Sequence, residues 1–193
     1  MSDAKRSVNP GVALALAGGA LTILGVFLPW GKAAVSMAGP GVRTYDAAGM
    51  DVSNGTIVLG LGIVVVLAGA AAAVLAGRRS AVLLALAAAA GGALAAILGF
   101  MTFGGLEEAM LDPIIEGAGF PAGEVTDLAR SILQEAMTAS AGWGLYLSIL
   151  GGLVAVAGGV LLVLAAREDA AARVVEAADD QTPPDVADTT PVE

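Results

Sequence analysis

Four apolar runs, separated by polar stretches of unequal length, organise the chain: residues 11–28, 56–76, 81–103 and 143–166 carry no charged side chain. Each approaches the roughly 20 residues needed to cross about 30 Å of hydrocarbon. Lipid offers no partner to a free backbone amide, so such runs must be helices. The pattern predicts an all-α membrane protein. Its fold class is a four-transmembrane-helix bundle with a small extracytoplasmic β-hairpin and amphipathic outer helices. A short tail at 1–10 precedes a transmembrane domain at 11–166, whose outer loops lie at 30–55 and 104–142. An acidic tail follows at 167–193.

The first outer loop is patterned. Pro29 stops the first helix, and residues 33–37 and 42–47 flank the turn signal Ala38-Gly39-Pro40-Gly41, which predicts a β-hairpin. Ser53 or Asn54 is placed to cap the second span. In the second loop Val125, Leu128, Ala129, Ile132, Ala136 and Met137 recur at helical spacing, with Glu124, Asp127, Arg130, Gln134 and Glu135 opposite. That predicts an amphipathic helix over 125–137 held by its apolar face. Leu106, Met110, Leu111 and Ile114 predict a shorter partner helix before Pro113 and the break Gly117-Ala118-Gly119-Phe120-Pro121.

Basic residues orient the spans. Lys5, Arg6, Arg78, Arg79, Arg167 and Arg173 fall on one side, and Lys32, Arg43 and Arg130 on the other. The positive-inside rule then puts both termini in the cytoplasm of a multi-pass protein of the cell membrane. Trp30, Trp143 and Tyr146 fall at the outer ends of the first and fourth spans, where amphipathic rings anchor at the headgroup level. The first run reads as a retained helix rather than a signal peptide, because it exceeds the usual 7 to 15 apolar residues and ends in Pro29-Trp30.

Composition narrows the chemistry. Of 193 residues 57% are hydrophobic and 14% charged, with no Cys and no His. Ser-His and Cys-His triads, disulfides and the common zinc sites are thereby excluded. The formal charge of -9 argues against nucleic acid. With no acid or base inside the spans, ion-driven transport and intramembrane proteolysis lose their usual groups. Ser148 reads as bonded to its own i-4 carbonyl rather than as a nucleophile. No catalytic, metal or cofactor site is expected. The second outer loop holds Glu107, Glu108, Asp112, Glu116, Glu124, Asp127 and Glu135 against Arg130 alone; these acids read as facing water rather than a cation.

Leu28-Pro29-Trp30 closing the first span, the Gly-rich polar loop and the second span opening at Gly55 resemble small four-span membrane proteins of high-GC Gram-positive bacteria. The plan of a long first outer loop with a hairpin is also similar to that of claudins. The Gly-Leu-Trp and paired loop cysteines of claudins are absent, so a barrier role is not carried over. The resemblance implies a membrane-embedded bundle and brings no activity with it.

For packing, small residues four apart make flat stripes where helices approach closely. Ala87, Gly91, Ala95 and Gly99 in the third span, and Gly151, Ala155 and Gly159 in the fourth, are the expected seams. The compositional alternative is that an Ala- and Gly-rich chain produces such spacings by chance. The sequence therefore points to a non-catalytic structural or accessory protein of the lipid bilayer that engages a membrane protein partner or forms a homo-oligomer. A passive channel or small-solute transporter is the runner-up.

Overall fold

The computed structural model describes residues 9–36, 42–52, 54–75, 79–117 and 127–179. Its elements are α1 (Pro10–Phe27), β1 (Pro29–Ser36), β2 (Val42–Ala48), a 3-10 turn (Gly49–Asp51), α2 (Gly55–Val74), α3 (Arg79–Gly104), α4 (Leu106–Gly117), α5 (Asp127–Ala136), β3 (Met137–Ala141) and α6 (Trp143–Asp179). Four helices, α1, α2, α3 and α6, are long and apolar enough to cross a membrane. The chain is a multi-pass integral membrane protein. Around the bundle the order is α1, α6, α3, α2, with α2 returning to α1. Strands, α4 and α5 form a cap at one end.

Local chemistry starts and stops these elements. Asn9 caps α1 by accepting the Gly11 amide at 2.9 Å, and Pro10 sits at the first helical position, where its missing N–H costs nothing. Leu28 turns extended before Pro29 and ends the helix. Asn54 does not cap α2 as the sequence suggested. Its amide donates instead to Thr102 Oγ1 at 3.3 Å, tying the start of α2 to the end of α3. Ser53 lies outside the described residues.

The helices meet backbone against backbone. A methyl group placed on Gly18 of α1 would lie 2.6 Å from the Gly151 carbonyl oxygen of α6. On Gly11 it would lie 2.9 Å from the Leu162 nitrogen, and on Gly25 2.7 Å from the Gly144 oxygen. From the other side, a methyl group on Gly151 would lie 2.5 Å from the Thr22 nitrogen and one on Gly158 2.8 Å from the Gly11 oxygen. The contact residues recur every seven positions: Gly11, Gly18 and Gly25 in α1; Gly62 and Gly69 in α2, with Gly55 one repeat earlier against Gly49 of the 3-10 turn; Gly92 and Gly99 in α3; Gly144, Gly151 and Gly158 in α6. A second row on α6, Gly152 and Gly159, meets Gly92, Ala96 and Ala85 of α3. A repeat of 3.5 residues per turn keeps one narrow stripe facing the partner along the whole helix.

This geometry revises the sequence-based stripes. Gly91 faces Val65 of α2, while Ala95 and Gly99 are buried and Gly99 meets Ile149. Ala87 is exposed and belongs to no seam. A period of four drifts off the contact within two turns, and the buried line passes through Ala88 and Ala85 instead. Gly151, Ala155 and Gly159 are all buried, yet they serve two partners: Gly151 and Ala155 lie against α1 and Gly159 against α3.

The expected hairpin is present, with a third strand beside it. The order is β2-β1-β3, all antiparallel, with Ala33 opposite Tyr45 and Ala139. The amphipathic helix expected over 125–137 ends at Ala136, and Met137 enters the core as the first residue of β3. Its apolar face also differs: Leu133 packs on the core while Ile132 is 60% exposed. Leu128 lies outside the residues whose side chains are described. The helix α4 runs through Pro113 rather than stopping before it. The proline forfeits one amide bond, and burial of Met110, Leu111, Ile114 and Ile115 on either side of it holds the helix together.

The seam yields a paired test. Alanine favours a helix over glycine by about 1 kcal/mol, whereas overpacking costs about 1–3 kcal/mol. Gly18→Ala should therefore lower the thermal midpoint in detergent, and Gly60→Ala should not, because nothing lies within 4 Å of a methyl group there. Ala157→Leu and Ala87→Leu, on exposed positions, should also leave it unchanged. Equal losses at Gly18 and Gly60 would mean that the glycine repeat is composition alone.

Candidate functional site

The cap is where the described polar and aromatic groups gather. Its centre is Trp30. A register shift in the β1–β2 pairing between Pro29 and Gly31 makes Trp30 the extra residue of a bulge. A bulge breaks alternation and re-aims a side chain, and here Trp30 and Gly31 are buried in succession. Trp30 is fully buried and belongs to the same core cluster as Val26, Val52, Val58, Leu106, Met110 and Leu145. Its Nε1–H donates to the Gly25 carbonyl at 3.0 Å. Trp30 is thus not an interface anchor, as its sequence position suggested. It is a plug seated over the cap end of the bundle.

Around Trp30 the carbonyls of Gly25, at the end of α1, and of Leu28 and Trp30, just beyond it, are each answered. The Gly25 oxygen accepts from the Leu28 amide as well as from the indole, the Leu28 oxygen from the Gly49 amide at 3.2 Å, and the Trp30 oxygen from the Gly142 amide at 2.8 Å. Each bond removes an otherwise costly orphan near the edge of the hydrocarbon. Glycine at 49 is required by the indole: a methyl group would lie 2.5 Å from Trp30 Nε1.

Trp143 and Tyr146 are placed differently. Their rings are 80% and 47% exposed on the flank of α6. Tyr146 meets Trp143 edge-on with centroids 6.3 Å apart and Phe103 of α3 at 6.0 Å. Three exposed rings thus gather at the cap ends of two spans, α3 and α6.

Between the start of α4, α5 and β3 lies a cleft of about 420 Å³, lined by Phe103, Gly104, Gly105, Leu106, Glu107, Glu108, Gln134, Ala139 and Ala141. One ion pair, Arg130 to Asp112 at 2.8 Å, links α5 to α4. Exposed as it is, it is worth about 0–1 kcal/mol. Among the described residues no three acidic side chains converge as metal ligands.

Inside the bundle, Thr22 and Thr102 bond back to the carbonyls of Gly18 and Leu98 at 3.0 and 2.9 Å. Ser148 does not follow the same habit. It is fully buried against Gly25, and its hydroxyl finds no partner among the described residues. The sequence expectation of an i-4 bond fails because the side chain is turned into the α1 seam, where the facing residue is a glycine.

No known family model matches the chain, and no curated protein matches it.

Two measurements follow from these placements. In bilayers with brominated lipid, Trp143→Phe should leave a fluorescence that the lipid does not quench, and Trp30→Phe should leave one that it does. The opposite assignment would put Trp30 back at the interface. Ser148→Ala removes an unpaired buried hydroxyl, whose burial costs about 1–3 kcal/mol. It should hold or raise the thermal midpoint, and a clear loss would show that the hydroxyl is bonded.

Proposed function

We propose that the protein is a non-catalytic structural or accessory membrane subunit, with both termini cytoplasmic, which presents its cap to a membrane protein partner on the outer side. The observation that carries this reading is the contrast between bundle and cap. Helices in backbone contact, with Trp30 buried at one end, enclose among the described residues no buried polar side chains besides Thr22, Thr102 and Ser148. The cap holds one sheet face on α4, through Gly31, Ala33 and Val35, and turns the other outward as Lys32, Thr44, Asp46, Thr138 and Ser140. Such a polar face, with a β2 edge that no further strand pairs among the described residues, offers main-chain and side-chain bonding to another protein.

A passive channel made by one copy is disfavoured by the same contrast. The acids of the cap, Glu107 and Glu108 among them, would still draw cations toward an oligomeric pore. Co-purification in mild detergent separates the readings. A stoichiometric membrane protein that is lost with Thr44→Arg and kept with Ala157→Leu supports the accessory role. A lone oligomer that conducts ions in liposomes would replace it with the channel.

Orientation is tested separately, and the absence of cysteine makes the background clean. Ser36→Cys and Ser131→Cys, both exposed in the cap, should react with an impermeant thiol reagent in intact cells, and Ser80→Cys should not. Reversed labelling would invert the topology.

A further inference from the structure

The helix-to-strand crossings at the cap share one geometry. The chain passes from α1 into β1 through Leu28 alone and from β3 into α6 through Gly142 alone. Since α1 packs on α6 and β1 pairs with β3, two continuous segments, 10–36 and 137–179, run antiparallel and in contact through both bundle and cap.

Their register barely changes where helix becomes strand. In the helices Gly158 faces Ala15, Gly151 faces Thr22 and Ser148 faces Gly25. In the strands Ala141 faces Gly31 and Met137 faces Val35. Between the Gly25–Ser148 and Gly31–Ala141 pairs, six residues pass on one segment and seven on the other. The crossing is bonded through the Trp30 indole to Gly25 and the Gly142 amide to Trp30. The other two spans lack such a continuation: α2 is entered from the 3-10 turn, and α3 leads through Gly105 into α4.

We propose that these two segments act as one transmembrane strut, which carries a constraint placed on the sheet to the far ends of α1 and α6 and leaves α2, which meets α1 mainly through side chains, unaffected. Backbone contact is what makes the strut stiff. Where glycines meet carbonyls there is no layer of side chains to change rotamer, so one helix cannot slide along the other without a collision. Strand ladders resist the same displacement through their hydrogen bonds. The strut goes beyond the docking role and does not depend on it, since it concerns how the molecule is coupled within itself.

Two disulfide clamps test it in the cysteine-free chain. Lys32→Cys with Ser140→Cys joins β1 to β3, the two strands of the strut, at facing and exposed positions. Ala34→Cys with Thr44→Cys joins β1 to β2 and constrains the sheet without bridging the strut. Amide hydrogen exchange is read in oxidised and reduced protein. The first clamp should slow exchange about fivefold over 13–19 and 155–162, as expected when a local opening is made costlier. Exchange over 65–72 should not change, and the second clamp should slow none of these segments. Slowing confined to the strands, equal effects of the two clamps, or equal slowing over 65–72 would overturn the strut. So would failure of the first disulfide to close, because facing strand residues lie within its reach.

Discussion

Everything in this molecule rests on the contact between α1 and α6, in which glycine Cα atoms lie against carbonyl oxygens of the opposite helix. Lipid is as apolar as leucine, so the hydrophobic effect that gathers helices in water is absent between these spans. Close dispersion contact must replace it, and contact of this kind grows with every pair of atoms brought to optimal distance. Glycine at each seventh position lets the two backbones approach along the full width of the membrane. The larger side chains, Leu24, Leu67, Leu86 and Leu153 among them, are left on the outside for lipid.

The cap is an extension of that contact. Two helices drawn so close leave no gap between the strands that continue them, and β1 and β3 pair as a result. The bulge at Trp30 reconciles the two periodicities at the point where they meet. It turns an aromatic side chain down onto the bundle, where the indole hydrogen-bonds the Gly25 carbonyl near the end of α1. The 3-10 turn then closes over the indole from the side of β2, with Gly49 fitting where no other residue would.

What the sequence disclosed follows the same physics. Span length and the absence of charge depend on lipid alone, so the four helices were legible, as was the hairpin from its turn. The small residues expected at the seams are buried between helices apart from Ala87, but the repeat that orders them is not the four-residue one. A search for small residues four apart picks out Gly91 and Ala95 but also Ala87, which faces outward, while the sevenfold spacing of Gly11, Gly18 and Gly25 passes unnoticed. That spacing is visible in the sequence once the period is known. β3 was hidden for another reason: Met137-Thr138-Ala139-Ser140-Ala141 alternates, but between small residues whose polarity differs little, and its pairing partner lies a hundred positions earlier. The fate of Trp30 depends on a bulge, which no local pattern announces.

The pairing of α1 with α6 has a consequence for biogenesis. During synthesis α1 enters the bilayer well before its partner, separated from it by α2 and α3, the cap helices and three strands. Until α6 emerges, the glycine face of α1 has no matching surface, and β3 has no span to hold it beside β1. The first span must wait in lipid with only α2 to hold it, and closure of the whole ring becomes the last event of assembly. Contacts so distant in sequence are slow to form, and exposed strand edges invite wrong partners in the meantime. A chain interrupted before α6 therefore keeps three spans and all three strands yet loses the tightest helix pair, the contact on which the pairing of β1 with β3 is built.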